Sequence, residues 1–229
     1  MCSQVKFDFG RDILKIIAIL SMTIDHIGVI LYPEFIFLRI IGRLAFPIFG
    51  YLIAIGLRST KKPKKYFITL LIFGLISQIP YYLAFNIQPF ERLNIFFSLL
   101  LGALTIYFFK KKNYIAIIPL VLSLLPIFEG SFYGVLTILF MDILLDNKKT
   151  GILALLALNS LFLFESNIQA KIQIFSLAAL AIILLHVTNR LKFEIIIPNH
   201  SFFYIIRKYF FYFYYPLHLV LLFLISNSI

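Results

Sequence analysis

DILKIIAILSMTIDHIGVILYPEFIFLRIIGR, residues 12–43, reads as two apolar helical runs joined by the short turn Tyr32-Pro33-Glu34. The first run, Leu14 to Leu31, is long enough at about 1.5 Å per residue to cross most of a bilayer core of about 30 Å. Asp25 and His26 lie inside it, and the second run opens with Arg39 and Arg43. A charge at mid-bilayer costs about 2.5–3.5 kcal/mol on insertion scales, so such groups face a bundle interior and mark functional sites. This hairpin sets both the class of the fold and the place to look for chemistry.

The whole chain is consistent with it. Of 229 residues, 62% are hydrophobic and 14% charged, and the mean hydropathy is +0.98, outside the balance of water-soluble domains. Lipid gives the backbone no hydrogen-bond partners, so spanning segments are helices or closed barrels. Continuous apolar runs without strand alternation select helices. The expected fold is an all-α polytopic membrane helix bundle, residues 1–229 forming one transmembrane domain. Spans are expected near 12–31, 35–57, 66–85, 94–109, 113–127, 131–146, 151–165, 168–187 and 209–227, about nine in all.

Basic residues set the orientation. With the N-terminus in the cytoplasm, the inner segments hold Lys6, Arg11, Lys15, Arg58, Lys61, Lys62, Lys64, Lys65, Lys110, Lys111, Lys112, Lys148, Lys149, Arg190, Lys192, Arg207 and Lys208. The opposite loops hold Glu34, Glu91, Glu129 and Glu165 against Arg92 and Lys171. This distribution predicts a cytoplasmic N-terminus, an extracytoplasmic C-terminus and residence in the plasma (inner) membrane. The net charge of +11 is used in these short clusters, so no nucleic-acid partner is expected; membrane lipid is. No small-residue cleavage pattern follows the first run, which is therefore expected to be a retained helix rather than a signal peptide. The one cysteine, Cys2, allows no internal disulfide. The long connection at 188–208, with Pro198, Asn199 and His200, is expected on the cytoplasmic side.

In the hairpin, antiparallel packing brings Asp25 and His26 to the depth of Arg39 and Arg43, in the outer half of the membrane. Arg39 and Arg43 share a helix face. His26 is rotated about 100° from Asp25, so the two point to different neighbours. Asp25 is expected to pair with Arg43 or Arg39, which leaves one guanidinium for an anionic or polarised ligand group and His26 as the acid or base. The competing reading is a buried ion pair with a hydrogen-bonded histidine. Asn94 and Gln78 near the outer helix ends, and Tyr214 and His218 on one face of the last helix, are candidate substrate-binding residues; interhelical packing is the competing explanation for each. No cluster of metal-ligand spacing occurs, and no metal is expected.

Several stretches resemble the TraX family: LKIIAILSMTIDHIG at 14–28, LRIIGRLAFPIFGYL at 38–52, KKYFITLLIFGLISQIPYYLAF at 64–85, NIFFSLLLG at 94–102, YGVL at 133–136 and YPLHL at 215–219. Where the family often has an acidic residue before the proline of the third helix, this chain has Gln78. The resemblance implies an integral membrane acyltransferase of the kind linked with conjugation and pilin acetylation. It further implies acetyl-CoA as acyl donor and an amine or hydroxyl acceptor such as a peptide or pilin N-terminus or a glycan. In that frame His26 removes the acceptor's proton, Arg39 or Arg43 stabilises the oxyanion, and Asp25 orients the arginines. An α-amine, with a pKa of about 7.7–8, deprotonates more readily at neutral pH than lysine at about 10.4. Lys61, Lys62 and Lys110 lie in basic loops where CoA phosphates would arrive, although topology control alone also accounts for them. His218 is a candidate relay that takes the acyl group first. A membrane transporter or lipid-handling protein with a buried Asp/His/Arg relay is the alternative, and a structural subunit of a membrane assembly a third reading.

Overall fold

The computed structural model describes residues 4–191, 194–198 and 202–228. Cys2, Lys192, Asn199 and His200 lie outside the described residues. In chain order the elements are β1 (Gln4–Asp8), α1 (Phe9–Ile30), α2 (Ile36–Gly42), α3 (Ala45–Ser59), α4 (Pro63–Phe85), α5 (Ile95–Lys110), α6 (Ile117–Leu122), α7 (Ser131–Asp146), α8 (Lys148–Ser160), α9 (Ile168–Lys171), α10 (Ala178–Val187), β2 (Glu194–Pro198) and α11 (Phe202–Ser226). Short 3-10 turns precede α6, follow α8 and join α9 to α10. Five stretches, Phe9–Ile30, Ile36–Ser59, Pro63–Phe85, Ile168–Val187 and Tyr209–Ser226, are long and apolar enough to cross a membrane, which makes the chain a multi-pass helix bundle. The other expected spans are shorter. Between 113 and 127, for example, α6 carries Pro119 and ends at Leu122.

Local chemistry explains the boundaries. The Asp8 side chain accepts from Gly10 N at 3.1 Å and starts α1, and Asn94 does the same for α5 through Phe96 N, also at 3.1 Å. The second apolar run is broken between Gly42 and Ala45. Pro47 has no N–H for the Arg43 carbonyl, and its ring crowds that carbonyl, so α2 stops there and α3 restarts with the proline in its first turn. Gly42 is required at this break for a second reason. A Cβ there would stand 2.0 Å from Asp25 Oδ1, so only glycine lets the aspartate of α1 lie against α2.

At the centre is α3. It packs against α1, α5, α7 and α10, and it buries Ala45, Ile48, Phe49, Tyr51 and Ala54. The last helix, α11, lies on α4 and α1, with Tyr215 and Leu219 buried. Besides the helices, β1 and β2 form one antiparallel ladder running from Gln4 opposite Pro198 to Asp8 opposite Glu194. Part of the expected 188–208 connection is thus extended, in keeping with the β-branched run Ile195 to Ile197. At the other end of the bundle the α4–α5 and α6–α7 loops meet in a parallel bridge, Leu93 with Phe128. Leu93 N donates to Ile127 O at 2.6 Å, and Glu129 N donates to Leu93 O at 3.1 Å.

Candidate functional site

The polar side chains singled out in the first hairpin separate into two adjoining groups, as the 100° rotation between neighbouring helical residues requires. Asp25 faces α2. Its Oδ2 accepts from Arg39 Nη1 at 2.5 Å, and the pair keeps only 17% and 20% side-chain exposure. Arg43, one turn on, faces Asp25, Tyr133 and Glu129 and makes no hydrogen bond through its buried Nε. Arg39 is therefore the paired guanidinium, and Arg43 the one in surplus.

His26 turns instead toward α11. Its Nδ1 lies 2.8 Å from His218 Nε2, the two rings are within 9° of parallel, and Phe85 and Tyr215 wall the pair. The protons on these rings can be assigned. His218 Nδ1 lies 3.0 Å from the Tyr214 carbonyl, which only accepts, so His218 carries its proton on Nδ1. Its Nε2 is then the acceptor, and His26 donates from Nδ1. That leaves the lone pair of His26 on Nε2, which has no hydrogen-bond partner among the described residues. The second ring acts as an orienting group for the first.

Tyr214 stacks on His218 at 5.1 Å between ring centroids, but its hydroxyl is engaged elsewhere. Thr23 donates to Ile19 O at 2.8 Å, so the 2.7 Å contact between Thr23 Oγ1 and Tyr214 has the phenol as donor. Gln78 and Asn94 bind each other. Gln78 Oε1 accepts from Asn94 N at 3.1 Å and Nδ2 at 2.8 Å, Gln78 Nε2 donates to Arg92 O at 2.8 Å, and Asn94 Nδ2 also reaches Gly74 O at 2.7 Å. These two residues tie α4 to the start of α5.

Sequence reasoning missed the acid that completes the site. Glu129, read only as a loop charge, has its backbone pinned on both sides: its N–H bonds Leu93 O, and its carbonyl accepts from Ser98 Oγ. Gly130 follows at φ 76°, a left-handed turn that suits glycine and starts α7. The carboxylate so placed faces Asp25, Arg92 and Arg39, with Tyr81 and Tyr215 beside it. Burial pushes the Glu129 carboxyl up to about 7; Asp25 adds to this, and Arg92 and Arg39 oppose it. Asp25 Oδ1, Arg43 Nε, Glu129 Oε2 and the Tyr215 hydroxyl are all buried without a hydrogen-bond partner among the described residues. Folded proteins seldom leave such atoms unsatisfied, and a group of donors and acceptors in this condition is suited to a polar ligand. The signal available in the sequence was a lone acid between Phe128 and Gly130 at the edge of two apolar runs.

About 15 Å back along α1, by the ten residues from Asp25 to Lys15, the wall of a separate cavity begins. Its volume is about 540 Å³. Arg11, Lys15, Lys61, Lys62 and Lys65 give it basic groups, and Phe49, Leu52, Leu99, Phe211 and Tyr212 give it an apolar interior. An aromatic layer separates it from the histidines: Phe211 meets Phe96 at 5.6 Å, Phe96 meets Tyr215 at 5.2 Å, and Tyr215 lies 6.2 Å from His26. Lys110 is elsewhere, 3.2 Å from Asp142 and 3.8 Å from Asp146, in a network with Arg58. Another polar set that the sequence did not reveal joins the chain's start to α3 and α10: His186 Nδ1 lies 2.9 Å from the Tyr51 hydroxyl, and its Nε2 lies 2.7 Å from Asp8 Oδ2. Among the described residues, no group of three His, Cys, Asp or Glu side chains could hold a metal ion.

Comparison with known proteins reaches nearly the whole chain. A family model described as "TraX protein" matches residues 10–226. An uncharacterized protein of Rickettsia prowazekii is 41% identical over 102 residues, 44% of this chain and 38% of that protein. A probable fimbrial assembly protein of Dichelobacter nodosus is 34% identical over 79 residues, 33% of this chain and 32% of that protein. The matched stretches thus span about a third of the length of each of these relatives. No solved structure matches the chain.

Proposed function

The chain belongs to the TraX family, and from that membership together with the geometry of the site we propose that it is a membrane acyltransferase that moves an acetyl group from acetyl-CoA to an amine or hydroxyl acceptor. The observation that carries this reading is the His26–His218 pair. The Tyr214 carbonyl fixes both tautomers, so His26 offers the lone pair of Nε2, while the preceding residue, Asp25, is paired with Arg39 and faces Arg43, whose Nε is uncommitted. A base held in one tautomer beside a spare guanidinium is what acyl transfer from a thioester needs.

In the reaction, His26 Nε2 takes a proton as the acceptor's nitrogen or oxygen attacks the thioester carbonyl. Arg43 stabilises the oxyanion, and the C–S bond breaks as the proton passes to the leaving thiolate. Arg39 is held by Asp25 and keeps the α1–α2 hairpin in register. The cavity is the donor site in this reading: CoA phosphates meet Arg11, Lys15, Lys61, Lys62 and Lys65, and the pantetheine lies along the apolar wall. The aromatic layer of Phe96, Phe211 and Tyr215 has to part for the thioester to reach His26. With the lysine-rich mouth in the cytoplasm and the N-terminus on the same side, the chain crosses the plasma membrane about nine times and acetylates an acceptor approaching from the outer face. A pilin N-terminus is a fitting acceptor, because one relative is named a probable fimbrial assembly protein.

The test is transfer itself. Purified full-length protein in nanodiscs, given acetyl-labelled acetyl-CoA and a short peptide with a free N-terminus, should label the peptide. His26→Ala should lower the rate at least 100-fold with the fold retained. Absence of labelling in the native protein, or an unchanged rate in the variant, rejects the assignment.

A further inference from the structure

Proton balance separates the two acceptor classes. An alcohol loses one proton on becoming an ester, and that proton leaves with the thiol. An amine arriving as an ammonium ion loses two on becoming an amide; one leaves with the thiol, and the other needs a second acceptor within the site. His26 provides one lone pair only, because its Nδ1 is committed to His218. Asp25 also has an unpartnered oxygen, Oδ1, but its Oδ2 is in an ion pair with Arg39 that protonation of the carboxylate would break. Glu129 is different. Its backbone is held by Leu93 and Ser98, its buried Oε2 has no hydrogen-bond partner among the described residues, and Tyr215 stands between it and the histidine pair.

We propose that Glu129 is the second proton acceptor of the site, a catalytic residue that receives an amine acceptor as its ammonium ion and takes the first of its two protons. The proposal rests on the acyl-transfer reading above. Step by step, the ammonium gives a proton to the Glu129 carboxylate. The freed nitrogen attacks the thioester carbonyl, His26 Nε2 takes the second proton and passes it to the thiolate, and the Glu129 carboxyl releases its proton to water. The groups facing Glu129 suit this cycle. Asp25 on α1 attracts the ammonium, Arg39 on α2, Arg43 after it and Arg92 in the α4–α5 loop keep the carboxylate ionisable, and Tyr81 on α4 and Tyr215 on α11 border it. Burial brings the Glu129 carboxyl up to about 7, close to an α-amine at about 7.7–8, so the proton moves between nearly matched groups.

The experiment compares pH–rate profiles for the native protein, Glu129→Gln and His26→Ala in nanodiscs with acetyl-CoA. The acceptors are a short peptide with a free N-terminal amine and the same peptide with hydroxyl in place of that amine. Without Glu129 only amine already deprotonated in solution reacts, roughly one-tenth of it at pH 7 for a pKa near 8. Glu129→Gln should therefore lose roughly 5- to 10-fold in kcat/KM at pH 7, recover to within about 2-fold at pH 9, and leave any transfer to the hydroxyl peptide unchanged; His26→Ala should stay low at every pH. A pH-independent loss on Glu129→Gln, or an equal loss with both acceptors, would show a merely supporting carboxylate and overturn the proposal while leaving acyl transfer intact. Transfer by the native protein to the hydroxyl peptide alone overturns it as well. No transfer to either peptide removes the acyltransferase reading, and the role of Glu129 with it. Glu129→Asp, which keeps the carboxylate, should restore the neutral-pH rate at least in part.

Discussion

Replacing His218 tests the orienting role of the second histidine. In the native site the Tyr214 carbonyl holds the proton on His218 Nδ1, which makes His218 Nε2 the acceptor for His26 Nδ1–H at 2.8 Å. His218→Ala removes that acceptor, and His26 is then free to carry its proton on Nε2, where it no longer acts as a base. One buried hydrogen bond favours the productive tautomer by about 1–1.5 kcal/mol net. At 1.36 kcal/mol per factor of ten, its loss lowers the ratio of productive to unproductive tautomer about 5- to 15-fold, so a site held mostly in the productive form loses about half of it or more. The expected result is a fall in kcat of roughly 2- to 10-fold with KM for acetyl-CoA little changed, since the cavity lies beyond Phe96 and Tyr215. His218→Gln, whose amide oxygen accepts from Nδ1, should recover a good part of the rate, which a residue needed only for packing would not explain. Acetyl transfer measured on nanodisc preparations of matched thermal stability gives both constants. A kcat equal to that of the native protein in His218→Ala refutes the tautomer argument. A loss as deep as that of His26→Ala refutes it in the other direction, because His218 would then itself carry the acyl group.

The two arginines should part company. Arg39→Met strands the Asp25 carboxylate and should lower unfolding free energy by about 3 kcal/mol, the lower end for breaking a buried pair because both side chains keep some exposure. Arg43→Met, with no hydrogen bond from its Nε to lose, should leave stability nearly unchanged and cut kcat about 100-fold, as expected for an oxyanion donor; the reverse pattern would exchange their roles. Gly42→Ala drives a methyl group into Asp25 and should cost about 1–3 kcal/mol by overpacking, read as a lower melting temperature; an unaltered one would mean that the helices separate at no cost. Lys61→Gln and Lys62→Gln should each raise KM for acetyl-CoA roughly 2- to 5-fold, an effect that fades at high salt, whereas Lys110→Gln, in the Asp142 network, should leave KM alone. Equal shifts in all three would point to bulk surface charge instead of the cavity.

What the sequence made legible follows from what periodicity and hydropathy measure. Charges inside an apolar run are visible at once, and a turn of known length sets two runs antiparallel, so Asp25 and the arginines could be placed at one depth. The 100° step put His26 on a different face from Asp25. Neither rule says which helix that face meets, because the answer depends on how α11 packs against α1 and α4, and the contact joins residues 192 positions apart. The break between α2 and α3 was foreshadowed by Pro47, yet the close approach of Asp25 to Gly42 required coordinates. Gln78 and Asn94, polar and near the right end, form a link between α4 and α5 that a pattern of polar residues cannot distinguish from a binding face.

Glu129 shows a different blind spot. Membrane orientation is governed by lysine and arginine, and acidic residues contribute little to it. Counting Glu129 as part of a topology signal therefore gave it a role that acids do not perform. Once that role is withdrawn, an acid set between Phe128 and Gly130 has neither a topological reason to be there nor the solvated surroundings of an ordinary loop charge. Its loop is tied by backbone bonds to Leu93, a residue brought close only when α5 and α7 pack side by side. A polar residue whose placement depends on two loops meeting is invisible to any reading of single segments. For that reason the hairpin, which is local, came through in the sequence, while the carboxylate opposite it did not.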